Sequence, residues 1–213
     1  MSCSISVVYS FRDRPVERLL NSVKSIRSHQ NCFNVEFIVV DYGSSEPFMS
    51  QLRNACELGK IKVVRTETQG FPWSRAIATN IGIRHVETDA FISTDIDMIF
   101  ETDIISVVMN VLGKRKKVHC RPYWLPASGK YQDAKLGDFA QLGGMMAMKV
   151  EDFFELGGFH EDISFWGSED SELELRAKDS GLETVWLPQS VKMYHVWHPV
   201  SHGFCDSRPI ASI

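Results

Sequence analysis

Apolar residues in the first hundred positions fall into short continuous runs, separated by longer segments in which they recur at helical spacing. Ile5 to Tyr9, Val35 to Val40, Ile61 to Arg65 and Ala90 to Ile92 have the pattern of strands buried on both faces. Between the first two, Val16, Leu19, Leu20 and Val23 line one face of a helix expected over Val16 to Ser28, with Pro15 well placed at its start. The second strand ends in Asp41-Tyr-Gly-Ser-Ser45, whose Gly and Ser residues are turn and cap chemistry, before a helix expected near Phe48 to Leu58. Ser74 caps a further helix that runs to about His85. This alternation predicts an α/β chain with a mostly parallel sheet covered on both faces. Such sheets bind ligands at the carboxyl ends of their strands, where Ser10 to Arg14, Asp41 and Asp95 to Asp97 all fall.

The second half is less regular. Helices are expected over Ile104 to Leu112, Glu151 to Leu156 and Glu169 to Lys178, and strands over Val118 to Arg121, Gly144 to Val150 and Thr184 to Leu187. Pro126 to Gly137 is polar and glycine-bearing, and is expected to be an exposed insertion. No repeat or Pro/Gly/Ser-rich linker divides the 213 residues, so 1–213 is expected to be a single domain with a sizeable core.

Composition narrows the classes. Asp and Glu outnumber Lys and Arg by 27 to 23, which gives no electrostatic case for nucleic acid as a partner. The basic run Lys114 to Lys117 follows an expected helix end at Gly113 and reads as a solvated cap. The five cysteines, Cys3, Cys32, Cys56, Cys120 and Cys205, are scattered without CxxC or zinc spacing, so reduced thiols are expected. No run approaches the ~18 apolar residues of a membrane span, and no charged signal region precedes the first strand. A soluble, cytoplasmic protein is the expectation. The chain ends at Pro209-Ile-Ala-Ser-Ile213 without an obvious end signal, which leaves room for further domains of a longer polypeptide.

The candidate chemistry centres on Ala90-Phe-Ile-Ser-Thr-Asp-Ile-Asp97, an apolar run ending in two carboxylates one residue apart. Two like charges at the mouth of a dry sheet are costly unless a cation, an arginine or a ligand lies between them. A hard divalent ion, Mg2+ or Mn2+, is the simplest answer, although an isolated D-x-D is more often a turn or a cap. In Trp166-Gly-Ser-Glu-Asp170, Glu169 and Asp170 would occupy the first turn of a helix; the dipole alone favours them there, and one could equally serve as a general base. His195-Val-Trp-His198 offers imidazoles that would complete a site for a borderline ion such as Mn2+. Arg12, Arg14 and Arg75 are the cations placed in the cleft, where guanidinium forks suit phosphate or an acidic loop.

Taken together, Phe11-Arg-Asp-Arg14, Trp73-Ser-Arg-Ala76 with Asn80-Ile-Gly82, Thr94-Asp-Ile-Asp97, and Gly157-Gly-Phe159 followed by Phe165-Trp-Gly-Ser-Glu-Asp170 resemble the inverting GT-A glycosyltransferases. The likeness is strongest to the beta-1,4-galactosyltransferase branch and its family 2 relatives, and it spans roughly Ser4 to Pro199. It implies a GT-A fold, with 1–97 as the nucleotide-binding half and 98–213 as the acceptor and catalytic half. Donor contacts are implied for Ser10, Phe11, Arg12, Arg14, Asp41, Arg75, Asp95, Ile96, Gly144 and Trp166, with Asp95 on the ribose. Asp97 is implied as a metal ligand with His195 and His198, of which His198 is favoured, and the ion is implied to be Mn2+ or Mg2+. Asp170 is implied as the base, with Glu169 orienting sugar or acceptor. The implied substrates are a UDP-sugar and a hydroxyl of a glycan or glycoprotein. The sequence departs from the galactosyltransferases at Trp166-Gly-Ser, where they carry a longer aromatic-glycine run, and at Gln141, where they carry a tyrosine that tunes donor choice. Galactose is therefore not implied as the donor. Two rivals are a sugar-phosphate nucleotidyltransferase, for which no Gly-rich, Lys-bearing loop follows the first strand, and a non-catalytic sugar-binding module on the same fold.

Overall fold

The computed structural model describes residues 4–29, 33–139, 142–163 and 168–199. Its first half follows the expected alternation: β1 (Ser4–Phe11), α1 (Val16–His29), β2 (Asn34–Asp41), α2 (Phe48–Gly59), β3 (Lys62–Arg65), α3 (Arg75–Arg84) and β4 (Ala90–Thr94). There follow β5 (Met98–Phe100), α4 (Ile104–Val111), β6 (Lys116–His119), β7 (Tyr123–Trp124), β8 (Lys135–Leu136), β9 (Met145–Lys149), α5 (Val150–Glu155), α6 (Ser168–Asp179), β10 (Glu183–Trp186) and β11 (Met193–His195).

Seven strands form the main sheet in the order β10-β6-β9-β4-β1-β2-β3. All pair in parallel except β9, which is antiparallel to both β4 and β6. Strand alternation sorts the core into two layers. On β1, Ile5, Val7, Tyr9 and Phe11 pack with α1, α2 and α4 through Leu19, Val23, Leu52 and Ile105. Val8 faces the opposite layer, where Ala76 and Ile83 of α3, Phe153 of α5 and Leu173 of α6 lie. Cys56 and Cys120 are buried free thiols, and burial pushes both up to about 12, which leaves them inert at neutral pH. Among the described residues, no helix is long and apolar enough to cross a membrane.

Two expectations are corrected. A second, four-stranded sheet, β5-β11-β7-β8, lies beyond the end of β4; strands of two or three residues are too short for any period to show. The basic run is not all solvated cap, because β6 begins inside it and its pleat turns Lys117 inward, leaving that residue 1% exposed.

Gly82 explains the Asn80-Ile-Gly82 segment in packing terms. α3 lies so close on β1 and β2 that a Cβ at Gly82 would come within 2.4 Å of Val8 Cγ1 and 3.0 Å of Val40 Cγ2. Gly82→Ala should therefore destabilise the protein by about 1–3 kcal/mol in urea unfolding, the range for overpacked cores. An unchanged midpoint would mean that α3 can move away from the sheet at little cost.

Candidate active site

Ser74 sets the geometry at the carboxyl edge of the sheet. Its hydroxyl accepts from the Ile77 amide at 3.2 Å, so α3 starts at Arg75, in a first turn where the helix dipole disfavours a cation. Acidic partners compensate. Arg75 Nη1 donates to both oxygens of Asp170 at 2.9 and 3.0 Å and reaches Glu169 Oε1 at 3.4 Å. Its Nε meets Asp95 Oδ1 at 3.3 Å, and Nη2 donates to the Gly143 carbonyl at 2.8 Å. Burial works against the guanidinium charge, but Asp170, Asp95 and Glu169 outweigh it and raise its pKa. The same crowding acts on Asp95. Lost hydration pushes its carboxyl up to about 7, with repulsion from Asp97 and Asp170 adding to the rise and Arg75 opposing it.

Glu169 and Asp170 are both buried in the first turn of α6, where the helix dipole favours them. Two glycine-dependent approaches frame them. A Cβ on Gly143 would lie 2.8 Å from Asp170 Oδ2, so only glycine lets the lead-in to β9 come this close. Gly158, at φ +73°, faces the Asn80 amide, which donates to the Phe159 carbonyl and accepts from the Phe159 amide, both at 2.9 Å. Asn80 thus ties α3 to the Gly157-Gly-Phe159 loop.

The second cluster lies on the other side of the D-x-D turn. Val196 donates its amide to the Asp97 carbonyl at 2.9 Å, and β11 pairs with β5 so that His195 stands opposite Met98. His198 Nε2 lies 3.2 Å from Asp97 Oδ2 and His195 Nε2 lies 3.7 Å from Oδ1. The donor atoms of Asp97, His195 and His198 all fall within 4.8 Å of one another. Asp97 Oδ1 is buried and has no hydrogen-bond partner among the described residues, which is costly unless it meets a cation. One carboxylate and two imidazoles suit a borderline divalent ion, so this donor set fits the expected metal. Burial lowers the His195 pKa, which favours the neutral, ligating form. The Trp124 indole lies against the His195 ring at a centroid distance of 4.3 Å.

The other expected site residues divide. Arg12 lies beside the turn after β2, donating to the Phe71 carbonyl at 2.7 Å with its guanidinium 5.9 Å from the Tyr42 ring, while Trp73 packs edge-on to Tyr42. Arg14 is half-buried in the same loop as Arg12, and the Ser10 hydroxyl lies 3.0 Å from that of Thr79. Phe11 does not line the cleft. It is 1% exposed, because β1 continues to it and the pleat places it with Tyr9 in the core. The Ile96 side chain also joins that core, so only its backbone belongs to the turn. Asp41 is buried, accepting from the Ser44 amide at 2.9 Å and from the Arg65 guanidinium, and so organises the turn after β2. Gly144 is buried beneath the acids, and its carbonyl accepts from Thr94 Oγ1 at 2.8 Å and from the Asp95 amide at 3.4 Å. Trp166, Gln141 and the chain beyond Pro199 lie outside the described residues.

Sequence reasoning missed several contributors. Arg18 reaches to 3.8 Å from Asp97 Oδ2; its position one helical turn beyond Arg14 was the available signal. Gly143, Asn80 and Trp124 act through contacts between distant segments, which spacing does not reveal.

Comparison with known proteins identifies the family and the fold. Residues 6–122 match the model described as glycosyltransferase like family 2, and residues 131–199 match the N-terminal domain of galactosyltransferase. Human beta-1,4-galactosyltransferase 4 is 26% identical over 142 residues, which make up 64% of this chain and 39% of that protein. Among solved structures, GalNAc-T7 with UDP, GalNAc and Mn2+ superposes with a TM-score of 0.72 at 16% identity, covering 97% of this chain and 45% of that one. The mannosyltransferase PcManGT of Pyrobaculum calidifontis, in complex with GDP-Man and Mn2+, gives 0.67 at 17% identity, covering 95% and 59%. The chain thus spans about two-fifths to three-fifths of these proteins, and the architecture is the GT-A fold that the sequence resemblance implied. With more than half of its length matched by one family model, the chain belongs to the glycosyltransferase-like family 2.

Proposed function

We propose that this chain transfers a hexose from a UDP-sugar to a hydroxyl of a glycan or glycoprotein, with inversion at the anomeric carbon. One observation carries the reading: the D-x-D turn sends Asp95 to an arginine-held acid cluster and Asp97 to a pair of histidines, at the carboxyl edge where such sheets bind ligands. UDP and Mn2+ in the GalNAc-T7 structure, and Mn2+ in the PcManGT complex, support it.

Arg12, Arg14 and Ser10 are placed to hold the nucleotide beside the Tyr42 and Trp73 rings, with Asp95 on the ribose; Asp41 and Gly144 act from beneath, by shaping the turns. A divalent ion on Asp97, His195 and His198, Mn2+ or Mg2+, would supply Lewis-acid neutralisation of the departing diphosphate. Asp170 takes the proton from the acceptor hydroxyl as the oxygen attacks, and the new glycosidic bond forms as the bond to the diphosphate breaks. Arg75 aims Asp170 through paired hydrogen bonds, and Glu169 orients the sugar or acceptor. The exposed 126–137 segment and the chain beyond Pro199 are assigned to acceptor choice.

Asp170→Asn should lower turnover by ~10²–10⁴ while Mn2+-dependent UDP binding persists, since only the proton acceptor is removed. Wild-type rates in that variant would end the assignment. Asp97→Ala should weaken UDP binding in the presence of Mn2+; calorimetry giving the parent affinity would remove Asp97 from the ligand set. In thermal scans with Mn2+, UDP-sugars should raise the Tm more than GDP- or CMP-sugars do, and EDTA should abolish the gain. Equal shifts from all three donor classes would contradict a UDP-selective site.

A further inference from the structure

A second ionic cluster lies behind the acids, on the face of the sheet that α6 covers. Lys117 Nζ donates to Glu174 Oε2 at 2.7 Å, and Thr184 Oγ1 donates to Glu174 Oε1 at 2.6 Å. His119 stands alongside: its Nδ1 faces the Met145 carbonyl at 3.1 Å, its Nε2 lies 3.6 Å from Glu174 Oε2, and its ring stacks on Trp186. Lys117 and His119 are two apart on β6, and Thr184 pairs with Lys117 from β10, so three strand residues on one face grip one helix residue. Neither the proposed chemistry nor the metal cluster uses this group.

Arg75 holds the first turn of α6 through Asp170 and Glu169, and beyond that turn α6 has little apolar anchorage. Its only buried apolar residues are Leu173 and Ala177, a stripe too narrow to resist rolling. Polar contacts take over: Glu174 to the sheet on one side, and Arg176 to the Gly158 carbonyl at 2.7 Å on the other. Asp170 lies four residues before Glu174, one turn away on the same face. It is near enough for its charge to steady the Lys117 ammonium, which burial otherwise pushes down from its ordinary value. His119 extends the link to Met145, directly after the glycine pair that meets Arg75 and Asp95. Apolar residues of similar volume would hold a helix as firmly without the desolvation cost of a buried ion pair; what the ions add is direction.

We propose that Glu174, clamped by Lys117 and Thr184 with His119 alongside, is a positioning residue that fixes where Asp170 meets Arg75 and the acceptor hydroxyl. The inference rests on the role given to Asp170 above. The test is the full chain carrying Lys117→Met with Glu174→Leu, which exchanges the ion pair for apolar bulk. The readouts are Tm, UDP binding with Mn2+, the Arg75 Nε–H magnetic resonance signal, and UDP release from UDP-N-acetylgalactosamine and UDP-galactose. The Arg75 signal is identified by its loss in Arg75→Lys. The expected result is a Tm within about 4 °C of the parent and UDP affinity unchanged. The Arg75 signal should be displaced, and kcat lowered at least about tenfold with donor KM retained, as misplacement of a reacting group requires. A folded double variant with the parent's Arg75 signal and kcat would reduce the clamp to a merely structural pair. Should the parent release no UDP from these donors or from UDP-glucose and UDP-N-acetylglucosamine, the functional reading fails, while the Arg75 signal still decides the clamp. If the double variant does not fold, Glu174→Gln keeps the size without the charge and is judged by the same readouts.

Discussion

A guanidinium at the wrong end of a helix holds this protein's edge together. Arg75 sits where the α3 dipole opposes its charge, and three carboxylates keep it there, one 20 residues further along the chain and two 94 and 95 residues further. The dependence is mutual. Without the arginine, Asp95, Glu169 and Asp170 would be like charges in a poorly hydrated cleft; without the acids, Arg75 would be a buried cation at a positive helix end. The Gly143 carbonyl completes the set, so the entry to β9, the D-x-D turn and the start of α6 share one anchor.

The single residue between the two aspartates has a structural meaning. Ile96 buries its side chain in the core, and the turn it pins sends Asp95 toward Arg75 and Asp97 toward the histidines. Separated by one anchored residue, the two aspartates serve two clusters of different chemistry, one saturated with arginine hydrogen bonds and one with a buried oxygen left over.

The parts of this arrangement that are local in sequence were legible there. The first four strands are apolar runs of ordinary length, Ser74 is a cap before a helix, and the acids of α6 sit where a dipole welcomes them. The D-x-D, Trp-Gly-Ser-Glu-Asp and His-x-x-His segments were assigned to one cleft; their described members gather on the two sides of the D-x-D turn, the acids beside Asp95 and the histidines beside Asp97. What escaped has specific causes. β5, β7, β8 and β11 are too short for any period. Phe11 looked like part of a binding loop because β1 was ended at Tyr9; one more alternation places it in the core. Arg75 was read as a partner for phosphate or an acidic loop, and its acids lie 20, 94 and 95 residues on; Lys117 was taken as part of a solvated cap because the basic run begins at the exposed Lys114.

The reversed direction of β9 has a consequence for what the cleft can accommodate. A strand that runs against both neighbours begins where they finish, so the chain leaving β6 reaches β9 without recrossing the sheet. The described residues between them, 120–139 and 142–144, therefore belong to a crossing beyond the carboxyl ends of β4 and β6. Lengthening or shortening that crossing remodels the roof over the acids and leaves every ladder of the floor in register. The fold thus separates a part free to diversify from a part that must stay fixed, and the boundary between them is the glycine pair at 143 and 144.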